Sequence, residues 1–411
     1  MSIYDVVVVG GGASGLIAAG RASELGARVL LLEKNKQLGV KLLMTGGGRC
    51  NFTNQSSPRV LAEAFGQNGK FLLSGLNRFG SEELIDFFSV RGLKYKIEDR
   101  GRVFPEGNKA QEILKLLVDY IKDGHGEIKT DSKVTKIIKT GNKISKLILA
   151  DGSEIIAKKF IIATGGKSYP LSGSSGEAYS WLAELGHKII KPRAALSPII
   201  ISENIKDLEG LSLSGAELTL VHNGQKIGHS FGDFIFTSRS LSGPAVLSLS
   251  RDSVRASVNK AEVVIDFCPD LSAEDLEDKI IALVAENKQV DIKNILARIF
   301  PKRLSNFILL NNRINPDKKA NGLTKIERQL LVMAFKKYSL TTFGVGDFTE
   351  AMITLGGVDL KEVDPKTMAS KLYSNLYLAG EVLDLDGPTG GYNLQAAWTT
   401  GYLAGEAAAS D

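Results

Sequence analysis

The chain has 411 residues, 43% of them hydrophobic, and 51 lysines and arginines against 46 aspartates and glutamates, for a formal net charge of +5. This is the composition of a soluble globular protein with room for two or three domains, and no apolar run reaches the roughly 18 to 20 residues that span a bilayer. Two cysteines, Cys50 and Cys268, and four scattered histidines exclude a disulfide framework and give no metal-ligand spacing.

The first strand begins at about Ile3, which leaves no room for a signal peptide, so a cytoplasmic protein is expected. An apolar run, Val6 to Val9, ends in Gly10-Gly11-Gly12-Ala13-Ser14-Gly15. A small-residue amphipathic segment then leads to a second apolar run, Val29 to Leu32, ending at Glu33. The order is strand, glycine turn, helix, strand, acid. Gly10 makes the turn, Gly12 lets the backbone approach a pyrophosphate, and Gly15 lets helix and strand pack closely. Ala13 and Ser14 open the helix whose free N–H groups and positive dipole end face the phosphates. Glu33 lies 23 positions after Gly10, where a carboxylate can accept from ribose hydroxyls. These features predict a dinucleotide site.

After Glu33-Lys34 comes Gly39-Val-Lys-Leu-Leu-Met-Thr-Gly-Gly-Gly-Arg-Cys-Asn. Three successive glycines, Gly46, Gly47 and Gly48, cost conformational entropy unless backbone must approach a flat group or take positive φ. Lys41, Thr45, Arg49, Cys50 and Asn51 flank them and suit an anionic or carbonyl-rich ligand.

Together the GxGxxG turn, the terminal Glu33-Lys34 pair and the TGGG loop resemble the glutathione-reductase-type FAD domain, in the branch of the fumarate reductases and aspartate oxidases. The longer string KLLMTGGGRCNFTN resembles a bacterial family of FAD flavoproteins named as aminoacetone-oxidase-like or bile-acid-reductase-like NAD(P)/FAD oxidoreductases. The resemblance implies that the second loop runs beside the ribityl chain and the isoalloxazine ring, and that backbone near Val134 meets the adenine. Arg100 and Arg102, around the short strand ending in Phe104-Pro105, are candidates to face an anionic substrate. Helical spacing is read over Ala110 to Ile121, and strands over Val134 to Ile138 and Ile144 to Leu149 around Gly141-Asn142.

Lys159 to Ala163 reads as a strand ending at Thr164-Gly165-Gly166 and resembles the second FAD fingerprint. Tyr169 is a candidate wall of the flavin pocket. From Pro192, alternating runs at Glu217 to Val221, Gln225 to Ile227, Asp233 to Phe236 and Glu262 to Phe267 predict an antiparallel β unit. Helical spacing follows at Ser272 to Asn287, Lys293 to Leu310 and Thr324 to Lys337. Between Lys288 and Lys337 twelve lysines and arginines face three acids, a local surplus of nine positive charges. Solvated helix faces are one reading of this segment and a phosphate-rich partner such as RNA is another, testable by neutralising Lys318, Lys319 and Arg328.

Leu376 to Ala379 reads as a strand ending at Gly380-Glu381 and resembles the third FAD fingerprint, with its acid by the ribityl and pyrophosphate. Gly390-Gly391 then starts a last helix whose dipole would point at the flavin O2/N1 edge, with Tyr392, Asn393 and Gln395 alongside.

The expected architecture is α/β. A discontinuous Rossmann-like FAD/NAD(P)-binding domain covers 1–191 and 343–411, and an inserted cap has a β part over about 192–270 and a helical part over about 271–342. The catalytic cleft is expected where the two meet. The expected activity is that of an FAD-dependent oxidoreductase with hydride transfer at flavin N5, NAD(P)H-linked and acting on a small organic substrate. An oxygen-using amine oxidase and an RNA-associated flavoprotein are the alternatives. A second GxGxxG is missing, so NAD(P)H would dock transiently as a co-substrate. No residue declares itself as the catalytic acid or base.

Overall fold

The structure is a computed structural model that describes residues 4–410. The chain divides into two compact units, one formed by Met1–Ala194 with Ala351–Asp411 and the other by Ala195–Glu350.

The first unit is built on a five-stranded sheet. In spatial order its strands are Leu376–Leu378, Ala157–Ile162, β1 (Tyr4–Val9), β2 (Val29–Leu32) and Glu127–Lys129. All neighbours run parallel, with Val8 opposite both Ile161 and Leu31. Both faces of the sheet are covered, which is why β1 and β2 read as unbroken Val and Leu runs rather than alternating ones. The helix α1 (Ala13–Glu24) crosses between β1 and β2 and packs on the last helix, Tyr392–Ala409. That contact needs small residues. A Cβ on Gly401 or Gly405 would lie 2.3 Å from the carbonyl oxygen of Ser14 or Ala18. Trp398 is fully buried beneath this contact, its Nε1 donating to Phe52 O at 2.9 Å.

At the rim of this unit His187 is buried, with Nδ1 2.9 Å from Glu362 Oε2 and Nε2 2.9 Å from Ser370 Oγ. Burial lowers its pKa below the ordinary histidine value, against the opposing pull of Glu362. The unfolded chain therefore binds the proton more readily, so the contribution to stability is present above about pH 6.5 and lost as pH falls. The urea midpoint should drop between about pH 7.5 and about pH 5.5, and His187→Gln should flatten that drop. An undiminished drop in the variant would assign the effect to other groups.

The second unit is a closed six-stranded antiparallel barrel with helices. The strand order is Ile199–Ile201, Ser240–Ser242, Gln225–Phe236, Ser212–His222, Glu262–Asp266 and Tyr338–Val345. The runs at Gln225 and Asp233 are one long strand, because the polar stretch between them still pairs with Ser212–His222. The helical part expected over 271–342 ends sooner. Tyr338–Val345 is the strand that closes the barrel, with Leu340 and Thr342 facing inward and Ser339, Thr341 and Phe343 exposed.

Several cations of the 288–337 segment are ion-paired on the helices of this unit. Lys318 pairs with Glu327 at 2.8 Å, Lys319 with Asp291 at 2.7 Å and Arg328 with Glu277 at 2.8 Å. Lys288, Lys302, Arg313, Lys325 and Lys337 are exposed and form no ion pair among the described residues. No helix of the described residues is long and apolar enough to cross a membrane.

Candidate functional site

The carboxyl ends of the parallel strands and the loops beyond them line one elongated cavity in the first unit, about 1370 Å³ with open solvent at its mouth included. This is where open α/β sheets bind their ligands.

The first turn shows three glycines under three different constraints. Gly10 has φ +110°, and a Cβ there would lie 2.4 Å from Ala163 O. A Cβ on Gly15 would lie 1.8 Å from Gly10 O, so only hydrogen fits between turn and helix. Gly12 differs from both. It lines the cavity, its φ is −87°, and a Cβ would meet nothing within 4 Å. Gly10 and Gly15 thus build the turn, whereas Gly12 keeps space open in front of the α1 N-terminus, where Ala13 and Ser14 also line the cavity.

Glu33 ends β2 and is 8% exposed. Its Oε2 accepts from Gly11 N at 2.7 Å and its Oε1 from Asn35 N at 2.8 Å. The carboxylate therefore fixes the glycine turn from behind, and each oxygen keeps a lone pair for a ligand hydroxyl. Lys34 points to the opposite wall, where its Nζ lies 2.7 Å from Ser175 Oγ and 3.1 Å from Glu177 Oε2. Lys133 pairs with the same carboxylate at 3.0 Å. Burial would raise the Glu177 carboxyl, yet Lys133 and Lys34 hold it below its ordinary range. Ser132 and Val134 line this end as well.

Towards the other end, Lys41 Nζ lies 2.7 Å from both Ser168 Oγ and Glu381 Oε2. Glu381 Oε1 accepts from Thr354 N at 2.7 Å and from Ser168 Oγ at 2.9 Å. Lys41, Thr45, Gly380, Glu381 and Asn393 line the cavity here, and Thr164 and Gly165 line it beside the first turn. Ser168 and Thr354 carried no signal in the sequence. They meet Glu381 only because Ile353–Val358 returns beside the Gly166–Ser168 turn, far from it along the chain.

Other expected contacts serve the framework instead. Gly166 is a packing position, since a Cβ would lie 2.4 Å from Thr354 Oγ1. Gln395 is 1% exposed and spends its amide on Phe79 O and Thr399 Oγ1, so it is a core bond and not a ligand contact. Asn393, besides lining the cavity, accepts from Gly387 N at 2.7 Å and donates to Gly387 O at 2.9 Å, ordering the loop before the last helix. Gly391 lies against Thr53, where a Cβ would be 2.3 Å from the carbonyl oxygen, and Gly390 lies against the Tyr392 ring.

The TGGG stretch is a tight turn with Gly46 and Gly47 in the left-handed region. Cys50 behind it is fully buried, its thiol pushed up to about 12 by desolvation, which makes it a poor nucleophile. Arg49 turns outward over the Phe104 ring, 4.1 Å from its centroid, and pairs with Glu98. Asn51 Oδ1 is buried without a partner among the described residues.

These residues fit an extended dinucleotide. The cavity has an acid at the end of β2, an open space at Gly12 before a helix N-terminus, and a buried Thr164 hydroxyl with no partner among the described residues. An orphaned buried hydroxyl is rare unless a ligand or an ordered water satisfies it. Among the described residues no group of three or more His, Cys, Asp or Glu could hold a metal ion.

Comparison with known proteins agrees with this geometry. The family described as "HI0933-like protein Rossmann domain" matches residues 4–407. A "Ribosomal RNA dihydrouridine synthase" of Haemophilus influenzae is 32% identical over 407 residues, covering 98% of each chain. A "3-dehydro-bile acid delta(4,6)-reductase" of Clostridium scindens is 32% identical over 410 residues, again covering 98% of each. Among solved structures, a 3-ketosteroid-delta4-(5alpha)-dehydrogenase from Rhodococcus jostii RHA1 superposes with a TM-score of 0.56 at 16% identity, over 99% of this chain and 97% of that one.

Proposed function

Because the chain belongs to the HI0933-like Rossmann family and is an FAD-dependent oxidoreductase, we propose that it reduces a carbon–carbon double bond conjugated to a carbonyl group. The substrate is a small cyclic compound, and NAD(P)H is the transient electron donor. Two relatives support the choice of bond. The substrates in their names differ, but dihydrouridine is a uracil saturated beside its carbonyl, and a 3-dehydro Δ4,6-substrate carries double bonds conjugated to its ketone.

The observation that carries the reading is the cavity, where an acid, an open glycine and a helix N-terminus converge at the sheet's carboxyl end. FAD, once bound and reduced by NAD(P)H, would supply a hydride from N5 to the carbon β to the carbonyl, with a proton from solvent completing the α carbon. The chain's part is to hold and orient. The α1 N-terminus would hold the pyrophosphate, and Glu33 keeps the glycine turn in shape. The ammonium of Lys41 fixes the Glu381 carboxylate, and Ser168 and Thr354 complete its hydrogen bonds.

An anaerobic visible spectrum of the FAD-loaded protein tests this. NADH or NADPH should bleach the flavin, and a cyclic enone should restore its colour. A flavin that stays yellow with both nucleotides but bleaches with small amines would replace the reading with an amine oxidase.

A second reading keeps the chemistry and changes the carrier, placing the reducible uracil in ribosomal RNA. The exposed cations Lys288, Lys325 and Lys337 favour it, because they form no ion pair among the described residues while Lys318, Lys319 and Arg328 are neutralised by protein acids. Reversing Lys288, Lys325 and Lys337 should then weaken RNA binding and reduce its salt dependence, and unchanged binding would remove this reading.

A further inference from the structure

A cationic cluster outside the cavity is unexplained by cofactor binding. It sits on the small antiparallel sheet of Tyr95–Glu98, Arg102–Pro105 and Thr53–Asn54, in which Glu98 lies opposite Arg102. Glu98 is faced by Arg49, by Lys96 at 3.4 Å and by Arg102 at 3.8 Å. The Arg49 guanidinium first, then Lys96, holds the Glu98 carboxyl below its ordinary range. The Arg49 and Arg102 guanidiniums lie 4.1 and 5.9 Å from the Phe104 ring centroid. Arg49 Nε also donates to Asn108 Oδ1 at 2.9 Å and Arg102 Nε to the Asp99 carbonyl oxygen at 3.1 Å, so three cations share the one carboxylate. One carboxylate can neutralise only one of the three cations around it, and a further anion is the natural complement.

The cluster is anchored at a defined place. Asn54 Nδ2 donates to Arg100 O at 2.9 Å and to Gly390 O at 3.1 Å. This ties the arginine turn to the loop that opens the last helix, whose Asn393 and Leu394 line the cavity. Arg49 follows directly on the Thr45–Gly48 turn, and Thr45 lines the cavity too. Arg100 itself holds φ +60°, a left-handed backbone that a non-glycine residue keeps only where its surroundings impose it. This backbone sets Arg102 beside Glu98, and the Asn54 tie links the cluster to the loop whose next helix carries the cavity residue Asn393.

We propose that Arg49, Lys96 and Arg102 recognise an anionic group, a carboxylate or a phosphate, on the substrate whose double bond is reduced. The proposal rests on the enone-reductase reading and gives that substrate a charge. The planar arginine forks match either anion in a bidentate contact. Glu98 holds the forks apart and ready, and the substrate anion completes the charge balance.

The test uses FAD-loaded wild type, Arg102→Gln and Lys96→Gln, with flavin absorbance confirming that each variant is folded and loaded. Two substrate pairs are compared, cyclohexenone with a carboxylate-bearing cyclohexenone, and uracil with a short uridine-containing RNA. In at least one pair, kcat/KM for the charged member relative to the neutral one should fall about tenfold in each variant. The pair that responds identifies the source of the anion. Inorganic phosphate should inhibit wild type competitively and the variants much less. An unchanged charged-to-neutral ratio in both pairs, with equal phosphate inhibition, overturns the proposal and leaves the reductase reading standing. If no member of either pair is reduced, the reductase reading fails instead. Phosphate perturbation of the flavin spectrum, weaker in the variants than in wild type, then still supports the anion site, and equal perturbation overturns it.

Discussion

Gly12→Val should give a folded protein that purifies without yellow colour, whereas Gly15→Val should not fold. Both residues belong to one short turn, and both are ordinarily explained by the same fingerprint. Their surroundings separate them. At Gly15 an added Cβ would sit 1.8 Å from a backbone oxygen that cannot move without pulling β1 and α1 apart. At Gly12 the backbone is extended, at φ −87° and ψ −170°, which valine adopts readily, and the new side chain would meet only cavity. Its methyl groups would occupy the space before the α1 N-terminus. FAD affinity should fall by about a hundredfold or more, equivalent to about 2.7 kcal/mol. Far-UV circular dichroism and FAD fluorescence quenching measure the two quantities. Undiminished affinity in folded Gly12→Val would show that no pyrophosphate lies against this turn.

Glu381→Ala should weaken both the fold and FAD binding. The carboxylate accepts from Lys41, Ser168 and Thr354 at once, so its removal leaves the Thr354 N–H without its acceptor and the Lys41 ammonium with the Ser168 hydroxyl but no counter-charge. Leaving such groups without partners costs about 1 to 3 kcal/mol. The pair is partly exposed, with side chains at 27% and 21%, so water recovers some of this and about 2 kcal/mol is expected. Lys41→Met should behave similarly, and the double variant should lose less than the sum, because each residue's main partner is the other. Urea midpoints of the four proteins give the coupling. Strict additivity would mean that the two side chains act independently, and the account of Lys41 as the group that fixes Glu381 would fall.

The glycine turn, the acid at the end of β2 and the two later strand-to-glycine turns were legible because each is local. A few consecutive residues fix strand, turn and helix, and the separate roles of Gly10, Gly12 and Gly15 follow from what backbone geometry permits. The alternating runs of the second unit were legible for the same reason, since period-2 patterning is a property of one strand. Closure of the barrel was not. Tyr338–Val345 pairs with Glu262–Asp266 and Ile199–Ile201 across long stretches of chain, and nothing in its own eight residues names those partners. Gln395 shows the opposite failure. A polar residue near a glycine turn reads as a ligand contact, yet helix periodicity turns its amide into the core, towards Phe79 and Thr399.

By itself, then, the sequence determined the family, the Rossmann architecture and the residues around the first turn, because those depend on contacts among neighbours in the chain. Only the tertiary structure decided that Ser168, Thr354 and Lys41 converge on Glu381, that Lys34 reaches across to Glu177, and that three cations surround Glu98. Those groups come from separate segments, and their meeting is set by how the strands order in the sheet and which loops return to its carboxyl edge. A side chain's charge is written in the chain, but the partner that satisfies it is chosen by packing.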